Sequence, residues 1–147
     1  MWRAYLQMHR AIERAVERQL SDEGLSTADY ELLVALSEAP DGVLRVRDLG
    51  NGVGWDRSRL AHQLRRMEQR GLVRRFDCPT DARGTMVALN GPGRELLEAA
   101  APGHVATVRG SFVDLLDAGE METLTTIAEK VTAAAEASGA DEGACER

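Results

Sequence analysis

The segment with the clearest structural pattern is residues 57–89, which read RSRLAHQLRRMEQRGLVRRFDCPTDARGTMVAL. Its first part predicts an amphipathic helix, because Leu60, Leu64 and Met67 follow one another at helical spacing. Gly71 stands where a glycine commonly ends a helix, since glycine adopts the left-handed conformation without strain. The segment therefore begins with a helix that has one apolar face.

A β-hairpin is predicted directly after this helix. Residues 72–76 and 85–89 have the β-branched and apolar content of strands. The polar stretch between them contains Pro79 and Gly84, which favour a turn. A shorter helix over residues 46–53 precedes the segment. The order helix, turn, helix, strand, loop, strand is that of a helix–turn–helix followed by a wing.

The charge of this module is opposite to that of the whole chain. The 147 residues carry 18 basic and 24 acidic side chains, a net charge of −6. Residues 45–84 hold ten arginines and five acidic residues, a net of +5, so the rest of the chain carries −11. An acidic protein with its arginines on one small module is expected to dock an anionic partner there, and duplex DNA is the first candidate.

Helical periodicity also covers both ends of the chain. Apolar residues recur at helical spacing over residues 2–20, and Ser26 is placed to cap a second helix. Further helical patterns follow residues 90–93 and cover 121–134. We therefore expect a mainly α fold with a small β-hairpin wing. Its predicted parts are an N-terminal dimerisation helix (1–24), a winged helix–turn–helix domain (25–92), C-terminal dimerisation helices (93–137) and a disordered polar tail (138–147).

Composition narrows the class of protein. No apolar run approaches the roughly 20 residues of a membrane span, and the amphipathic start does not read as a signal peptide, so a cytoplasmic protein is expected. Cys78 and Cys145 provide neither a disulfide framework nor a metal-ligand spacing. The sequence shows no phosphate-binding loop, nucleophile elbow or paired carboxylates. We expect neither an enzyme nor a bound metal or cofactor.

Four segments resemble motifs of the MarR family of bacterial transcriptional regulators. They are LSTADYELL (25–33), RRMEQRGLVRR (65–75), PTDARG (79–84) and VALNGPG (87–93). The motifs occur in the family's order and spacing across residues 25–93, with Met67 and Asn90 as mild departures. The resemblance implies a dimeric, sequence-specific DNA-binding regulator. It also implies that the dimer represses a promoter from a pseudo-palindromic operator and is released by a small molecule.

Candidate DNA contacts lie on the helix over residues 57–70. The N-terminal part of such a helix enters the major groove, where Arg59 is expected to reach guanine and, if the helix tilts, Gln63 to pair with adenine. Ser58 suits a phosphate contact, and His62 is either a DNA contact or a plain surface residue. The alternative for the whole set is a solvated charged face. The candidates are Arg57, Ser58, Arg59, His62, Gln63, Arg65 and Arg66.

The hairpin supplies the remaining DNA-binding candidates. Arg83 resembles the wing-tip arginine that enters a minor groove, where narrow A·T-rich DNA concentrates negative potential. Asp81 is expected either to brace Arg83 or to pair with an arginine of the first strand. That strand carries Arg75, which is also a candidate DNA contact. The alternative is an ordinary turn with solvated side chains.

The terminal helices are expected to form a homodimer, because each carries an apolar stripe that a small monomer leaves uncovered. The resemblance also implies an effector site where these helices meet the DNA module, with an aromatic acid as the expected ligand class. Packed or capping roles for His9 and His104 are the alternative. The candidate effector residues are Trp2, Tyr5, His9, Tyr30, Leu33 and His104.

A protein-interaction module is the alternative function. In that case the winged domain or the helical dimer docks a protein partner. Salt separates the two functions, because binding to duplex DNA weakens log-linearly with salt and prefers one palindrome over random DNA.

Overall fold

The computed structural model describes residues 1–79 and 81–142, except for the side chains of residues 82, 83, 136 and 138–142. Within these residues the chain forms six α-helices and three β-strands. The helices are α1 (Trp2–Asp22), α2 (Thr27–Ser37), α3 (Val46–Val53), α4 (Arg57–Gln69), α5 (Gly91–Ser111) and α6 (Ala118–Glu142). The strands are β1 (Val43–Arg45), β2 (Val73–Cys78) and β3 (Asp81–Leu89).

These elements form two compact units. The first runs from Met1 to Val108 and contains α1 to α4, the three strands and most of α5. The second begins at Arg109 and contains α6. The predicted fold class, mainly helical with a small antiparallel wing, is confirmed.

The core of the first unit is built largely from leucines. α2 begins at a capping box in which Ser26 and Asp29 satisfy each other's backbone N–H groups. This fixes the start of a helix whose apolar residues are buried against α3 and α4. Each fully buried side chain of this size contributes about 1.5–3 kcal/mol relative to exposure. The central residues are Leu32, Leu33, Leu36, Leu49, Leu60, Leu64 and Met67.

The sheet has the strand order β1–β3–β2 and is antiparallel throughout. Leu44 of β1 and Arg75 of β2 both lie opposite Val87, so β3 is the central strand. The sequence pattern does not predict β1, because three residues are too few to show alternation. Its pairing with β3 joins the wing to the start of α3.

The hairpin is longer than predicted. β2 extends to Cys78 and β3 begins at Asp81, with a register irregularity at residues 77–78. Residues 81–84, predicted as a loop, lie in β3, so Arg83 belongs to a strand and not to a loop tip. Strand pairing satisfies backbone groups here although aspartate and glycine are poor strand formers. The side chain of Arg83 lies outside the described residues.

The last two helices are longer than their apolar patterns. α5 remains one helix through Pro102. α6 reaches Glu142, so residues 138–142 are helical where a disordered tail was expected. The alanine-rich stretch after residue 132 explains this, because alanine has the highest helix propensity. Residues 143–147 of the predicted tail lie outside the described residues.

Among the described helices, none combines the length and apolar character needed to cross a bilayer.

Candidate nucleic-acid interface

The turn between α3 and α4 presents the start of α4 to solvent. Gly54 ends α3 in the left-handed conformation with φ of 66°, which glycine adopts without steric cost. Asp56 then caps α4, because its carboxylate accepts hydrogen bonds from the backbone N–H groups of Ser58 and Arg59, both at 2.9 Å. The helix therefore has a fixed and exposed N-terminus.

The outer face of α4 is polar and mostly basic, as predicted. Leu60, Leu64 and Met67 are buried and turn the opposite side of the helix outward. The predicted contacts on that side are all exposed: Arg57, Ser58, Arg59, His62, Arg65 and Arg66. Ser58, Arg59, His62, Arg65 and Arg66 share one face, as a helix entering a groove requires, and Arg57 lies beside that face at the start of the helix.

Arg59 is stacked on an aromatic ring. Its guanidinium carbon lies 3.9 Å from the centroid of the Trp55 ring, within the range of a cation–π interaction. Trp55 is half-buried and packs against the hydrophobic core. Sequence analysis selected Arg59 for its place on the helix but did not identify the ring that holds it.

The prediction that Gln63 pairs with adenine is wrong. The Gln63 side chain is buried, with 7% of the residue exposed, and its Nε2 donates to Oδ1 of Asp29 at 2.7 Å. Helical periodicity places Gln63 beside the apolar face, and the Asp29 carboxylate supplies the partner that lets its amide be buried. Gln63 therefore joins α4 to α2 and does not face the groove.

Asp29 is a residue beneath α4 that the sequence analysis missed. Its buried carboxylate accepts hydrogen bonds from Gln63, from the hydroxyl and N–H of Ser26, and from Nη1 of Arg70 at 2.8 Å. Burial raises the pKa of the Asp29 carboxyl, but the hydrogen bonds from Ser26 and Arg70 and the charge of Arg70 outweigh burial and leave the pKa below its ordinary value. Ser26 and Asp29 stand at capping-box spacing, so this spacing was the available signal.

The side chain of Arg75 pairs with a carboxylate of the same chain. Its Nη2 lies 2.6 Å and its Nε 3.1 Å from Oε2 of Glu68, and its backbone N–H donates to Oε1 of the same carboxylate. The side-chain hydrogen bond from Arg75 lowers the pKa of Glu68. Arg75 therefore holds β2 against α4, and this geometry does not support its predicted contact with DNA.

Asp81 has a partner that was not among those predicted, Arg45. Its Oδ2 accepts a hydrogen bond from Nη1 of Arg45 at 3.0 Å, which raises the pKa of Arg45. The pair joins the start of β3 to the end of β1. The expected brace for Arg83 cannot be assigned, because that side chain lies outside the described residues.

A cleft of about 440 Å³ lies between the hairpin and the helix–turn–helix. Its lining combines arginines with a tryptophan and one carboxylate. It includes Arg47, an exposed residue of α3 that the sequence analysis did not select. Arg74 of β2 was also not selected, although it is exposed beside the Phe76 ring. Basic residues therefore flank α4 on more than one side.

The candidate effector residues fall into three groups. Trp2, Tyr5 and His9 form an exposed ladder of stacked rings on α1, with centroids 5.4 and 6.1 Å apart. Tyr30 of α2 meets His104 of α5 at 4.4 Å. Leu33 is completely buried in the core, which does not support its predicted place in an effector site.

The contact between Tyr30 and His104 lies in a partly desolvated region. Burial raises the pKa of Tyr30 and lowers the pKa of His104. Within the described residues, Nδ1 of His104 and Oε1 of Gln19 are buried without a hydrogen-bond partner. Nε2 of Gln19 reaches the Ala100 carbonyl, one helical turn before His104.

Known proteins are similar to this chain in both sequence and fold. The MarR family model matches residues 23–84. The Escherichia coli O111:H- protein "Transcriptional regulator HosA" is 33% identical over 107 residues, which cover 73% of this chain and 77% of HosA.

Solved structures agree with this match. AbsC, a MarR family transcriptional regulator from Streptomyces coelicolor, is 37% identical with a TM-score of 0.89, covering 92% of each chain. Sco3205, a MarR family transcriptional regulator from the same organism solved in complex with DNA, is 39% identical with a TM-score of 0.86. That match covers 89% of this chain and 82% of Sco3205. The motifs, the winged fold and these relatives show that the chain belongs to the MarR family of transcriptional regulators.

Proposed function

We propose that this chain binds duplex DNA as a homodimer and represses a promoter by occupying a pseudo-palindromic operator. The observation that carries the proposal is the capped, exposed N-terminus of α4 with Arg57, Ser58 and Arg59 on it. The side chains of Arg57 and Ser58 at the exposed helix start suit a phosphate, and arginine suits the major-groove edge of guanine. The DNA complex of Sco3205 supports this use of the fold.

Exposed apolar side chains supply the proposed dimer interface. On α1, Trp2, Tyr5 and Met8 are exposed, and in the second unit so are Ile127 and Val131 of α6. A second copy of the chain would cover these apolar side chains and remove them from water. Two-fold symmetry then presents two α4 helices to half-sites about 10 bp apart, since both helices must reach the same side of the duplex.

Selection of bound fragments from random duplex DNA tests DNA recognition. We expect a palindromic consensus whose affinity falls log-linearly with salt. Arg59→Ala should remove about 1–3 kcal/mol of base discrimination at one or two positions of each half-site. Arg18→Ala changes an exposed arginine of α1 and is the charge-matched control. A consensus without dyad symmetry, or the same preferences in Arg59→Ala, would contradict the proposal.

A reporter assay tests the direction of regulation. The selected site is placed between a promoter and its reporter gene, and the chain is supplied from a second promoter. A repressor lowers expression only when the site is present. Increased expression would show activation and would overturn the repressor assignment.

An aromatic acid is the proposed effector, and the region of Gln19, Tyr30 and His104 is its proposed site. The unpartnered polar atoms of Gln19 and His104 support this, because a ligand hydroxyl would donate to Oε1 of Gln19 and a carboxylate would accept from an N–H at Nδ1 of His104. Such a ligand releases DNA only if it binds the released conformation more tightly.

A panel of phenolic and other aromatic acids tests the effector. An active acid should release the selected duplex from the wild-type protein. His104→Phe keeps an aromatic ring beside Tyr30 but removes Nδ1, so it should lose the response and keep its DNA affinity. If every acid in the panel leaves wild-type binding unchanged, this class of effector is wrong.

A further inference from the structure

The turn before α4 holds an aromatic ring against the arginine expected to read DNA. The guanidinium carbon of Arg59 lies 3.9 Å from the centroid of the Trp55 ring. The backbone N–H of Trp55 donates to the carbonyl of Gly50 at 3.0 Å, and its half-buried ring packs against the hydrophobic core. The ring is therefore held by the body of the domain.

Arg59 is held both at its backbone and at its guanidinium group. Its backbone N–H donates to the Asp56 carboxylate at 2.9 Å, and its guanidinium face rests on Trp55. An arginine with a free side chain loses much of its rotamer freedom when it binds. Stacking restricts the side chain beforehand, so less freedom remains to be lost when Arg59 meets a base.

This stacking leaves the hydrogen-bonding edge of the guanidinium available. All its N–H donors lie in the plane of the group, whereas the indole contacts its face. A bidentate contact with O6 and N7 of guanine uses two donors on one edge. Arg59 is therefore able to stack on Trp55 and bind guanine at the same time.

We propose that Trp55 determines base specificity in this protein by positioning Arg59 for guanine. The inference rests on the proposed function, because it requires α4 to read DNA. Trp55 acts through Arg59 as a positioning residue and makes no base contact of its own. Loss of the indole should therefore reduce discrimination at the guanine position more than affinity for unrelated DNA.

Equilibrium binding of Trp55→Leu tests the proposal. The probes are the duplex selected by the wild-type protein, the same duplex with 7-deazaguanine (which lacks N7) at the guanine that depends on Arg59, and a random duplex of equal length. The wild-type protein should prefer guanine over 7-deazaguanine by about tenfold. Trp55→Leu should reduce this preference by about three- to tenfold, and its affinity for the random duplex should change by less than about twofold.

Matched variants separate positioning from folding. Trp55→Phe keeps an aromatic face and should retain most of the preference. Phe76→Leu removes the aromatic ring beside Arg74 in β2 and should leave the preference unchanged. In an Arg59→Ala background, Trp55→Leu should have no further effect on discrimination, because the side chain it positions is absent.

A second measurement leaves Trp55 in place. In a Trp2→Phe variant all tryptophan emission comes from Trp55. Addition of Arg59→Ala should change this emission in the free protein and remove the further change caused by the selected duplex. Identical emission with and without the Arg59 side chain would show that the stack does not form in solution, which would overturn the inference.

The outcomes distinguish this inference from the proposed function. A wild-type protein that selects no palindrome contradicts the proposed function itself. If Arg59→Ala abolishes the guanine preference and Trp55→Leu retains it, DNA reading stands and the role of Trp55 is wrong. Equal losses of affinity for the selected and random duplexes would assign Trp55 a purely structural role and would also overturn the inference.

Discussion

At the scale of single residues, Asp29 joins α4 to α2. Its carboxylate binds Gln63 in the middle of α4 and Arg70 at the end of that helix. Arg70 in turn donates to the carbonyl of Gly24 at 2.6 Å. One buried charge therefore connects the start of α2 with two turns of the helix proposed to enter the groove, and it is paired as a buried charge must be.

Replacement of this charge should destabilise the fold. Asp29→Asn keeps the size of the side chain but places amide hydrogens among donors, so we expect the free energy of unfolding to fall by about 2–3 kcal/mol. Urea unfolding measures the change. Asp22→Asn, at an exposed position near the end of α1, is the matched control. Equal effects of the two substitutions would show that the hydrogen bonds of Asp29 contribute little.

The same carboxylate predicts a pH dependence. Burial raises the pKa of Asp29, but the hydrogen bonds from Ser26 and Arg70 outweigh burial and keep the pKa below 3.8 in the folded state. A lowered pKa means that the stabilisation is complete above the unfolded value and is lost as pH falls through the folded value. The stability difference between wild type and Asp29→Asn should therefore shrink in acid. A difference that stays constant from about pH 7 to about pH 3 would contradict this assignment.

Gln63 and Arg75 show how far single residues are predictable from the sequence. Helical periodicity gives the exposed face of α4 correctly at Arg57 and Arg59. The partners of Gln63 and Arg75 are set by tertiary contacts, and Asp29 is 34 residues away from Gln63 in the chain. Periodicity alone does not show such a partner. A polar residue at the edge of an apolar stripe is therefore wrongly predicted to be exposed when it bonds to a residue of another helix.

At the scale of elements, the start of α5 is locked against the junction of α4 and β2. Asn90 donates from its backbone N–H to the Leu72 carbonyl at 3.0 Å and from Nδ2 to the Gly71 carbonyl at 3.2 Å. Gly93 is buried so close to Leu72 that an added Cβ would collide with the Leu72 carbonyl oxygen. Glycine is thus required here by backbone packing and not by its dihedral angles.

Gly93→Ala should consequently destabilise the first unit. The methyl group has to displace backbone, and overpacking of this kind costs about 1–3 kcal/mol. Thermal or urea unfolding measures the loss. Gly110→Ala in the same helix is the matched control, since nothing lies near its added Cβ and alanine favours a helix. If both substitutions leave stability unchanged or raise it, the close approach of α5 to Leu72 is wrong.

The predictability of elements follows their length. α3 occupies the predicted residues, and α4 begins at the predicted residue and ends one residue before its predicted end, because capping and apolar spacing agree there. β1 and the outer half of the hairpin depend on pairing between distant residues, such as Val43 with Ala88. Short strands carry little periodicity, so their position is determined by the sheet rather than by local sequence.

In the molecule as a whole, the charged surface and the apolar surface have different expected partners. The chain has a net charge of −6, yet residues 45–84 carry +5. This distribution attracts DNA to one module and repels it from the rest of the chain. The sequence predicts both this asymmetry and the apolar stripes of the terminal helices. Periodicity shows that these helix faces are apolar but does not show what covers them, because the expected partner is a second copy of the chain.

The last prediction concerns that partner. Tyr5 is exposed at the centre of the apolar face of α1, with Trp2 and Met8 on either side. Tyr5→Glu places a charge at the proposed two-fold interface, where it cannot stay hydrated, so the dimer should dissociate. Gln7→Glu adds the same charge about 200° around the helix at another exposed position and should leave the dimer intact.

Sedimentation at micromolar concentration measures the oligomeric state of both variants. Tyr5→Glu should sediment as a folded monomer and lose binding to the two-half-site operator far more than to random DNA, because a monomer places only one α4 helix in a groove. Gln7→Glu should sediment and bind as the wild type does. A wild-type monomer, or a Tyr5→Glu dimer with unchanged operator affinity, would exclude this face of α1 from the interface.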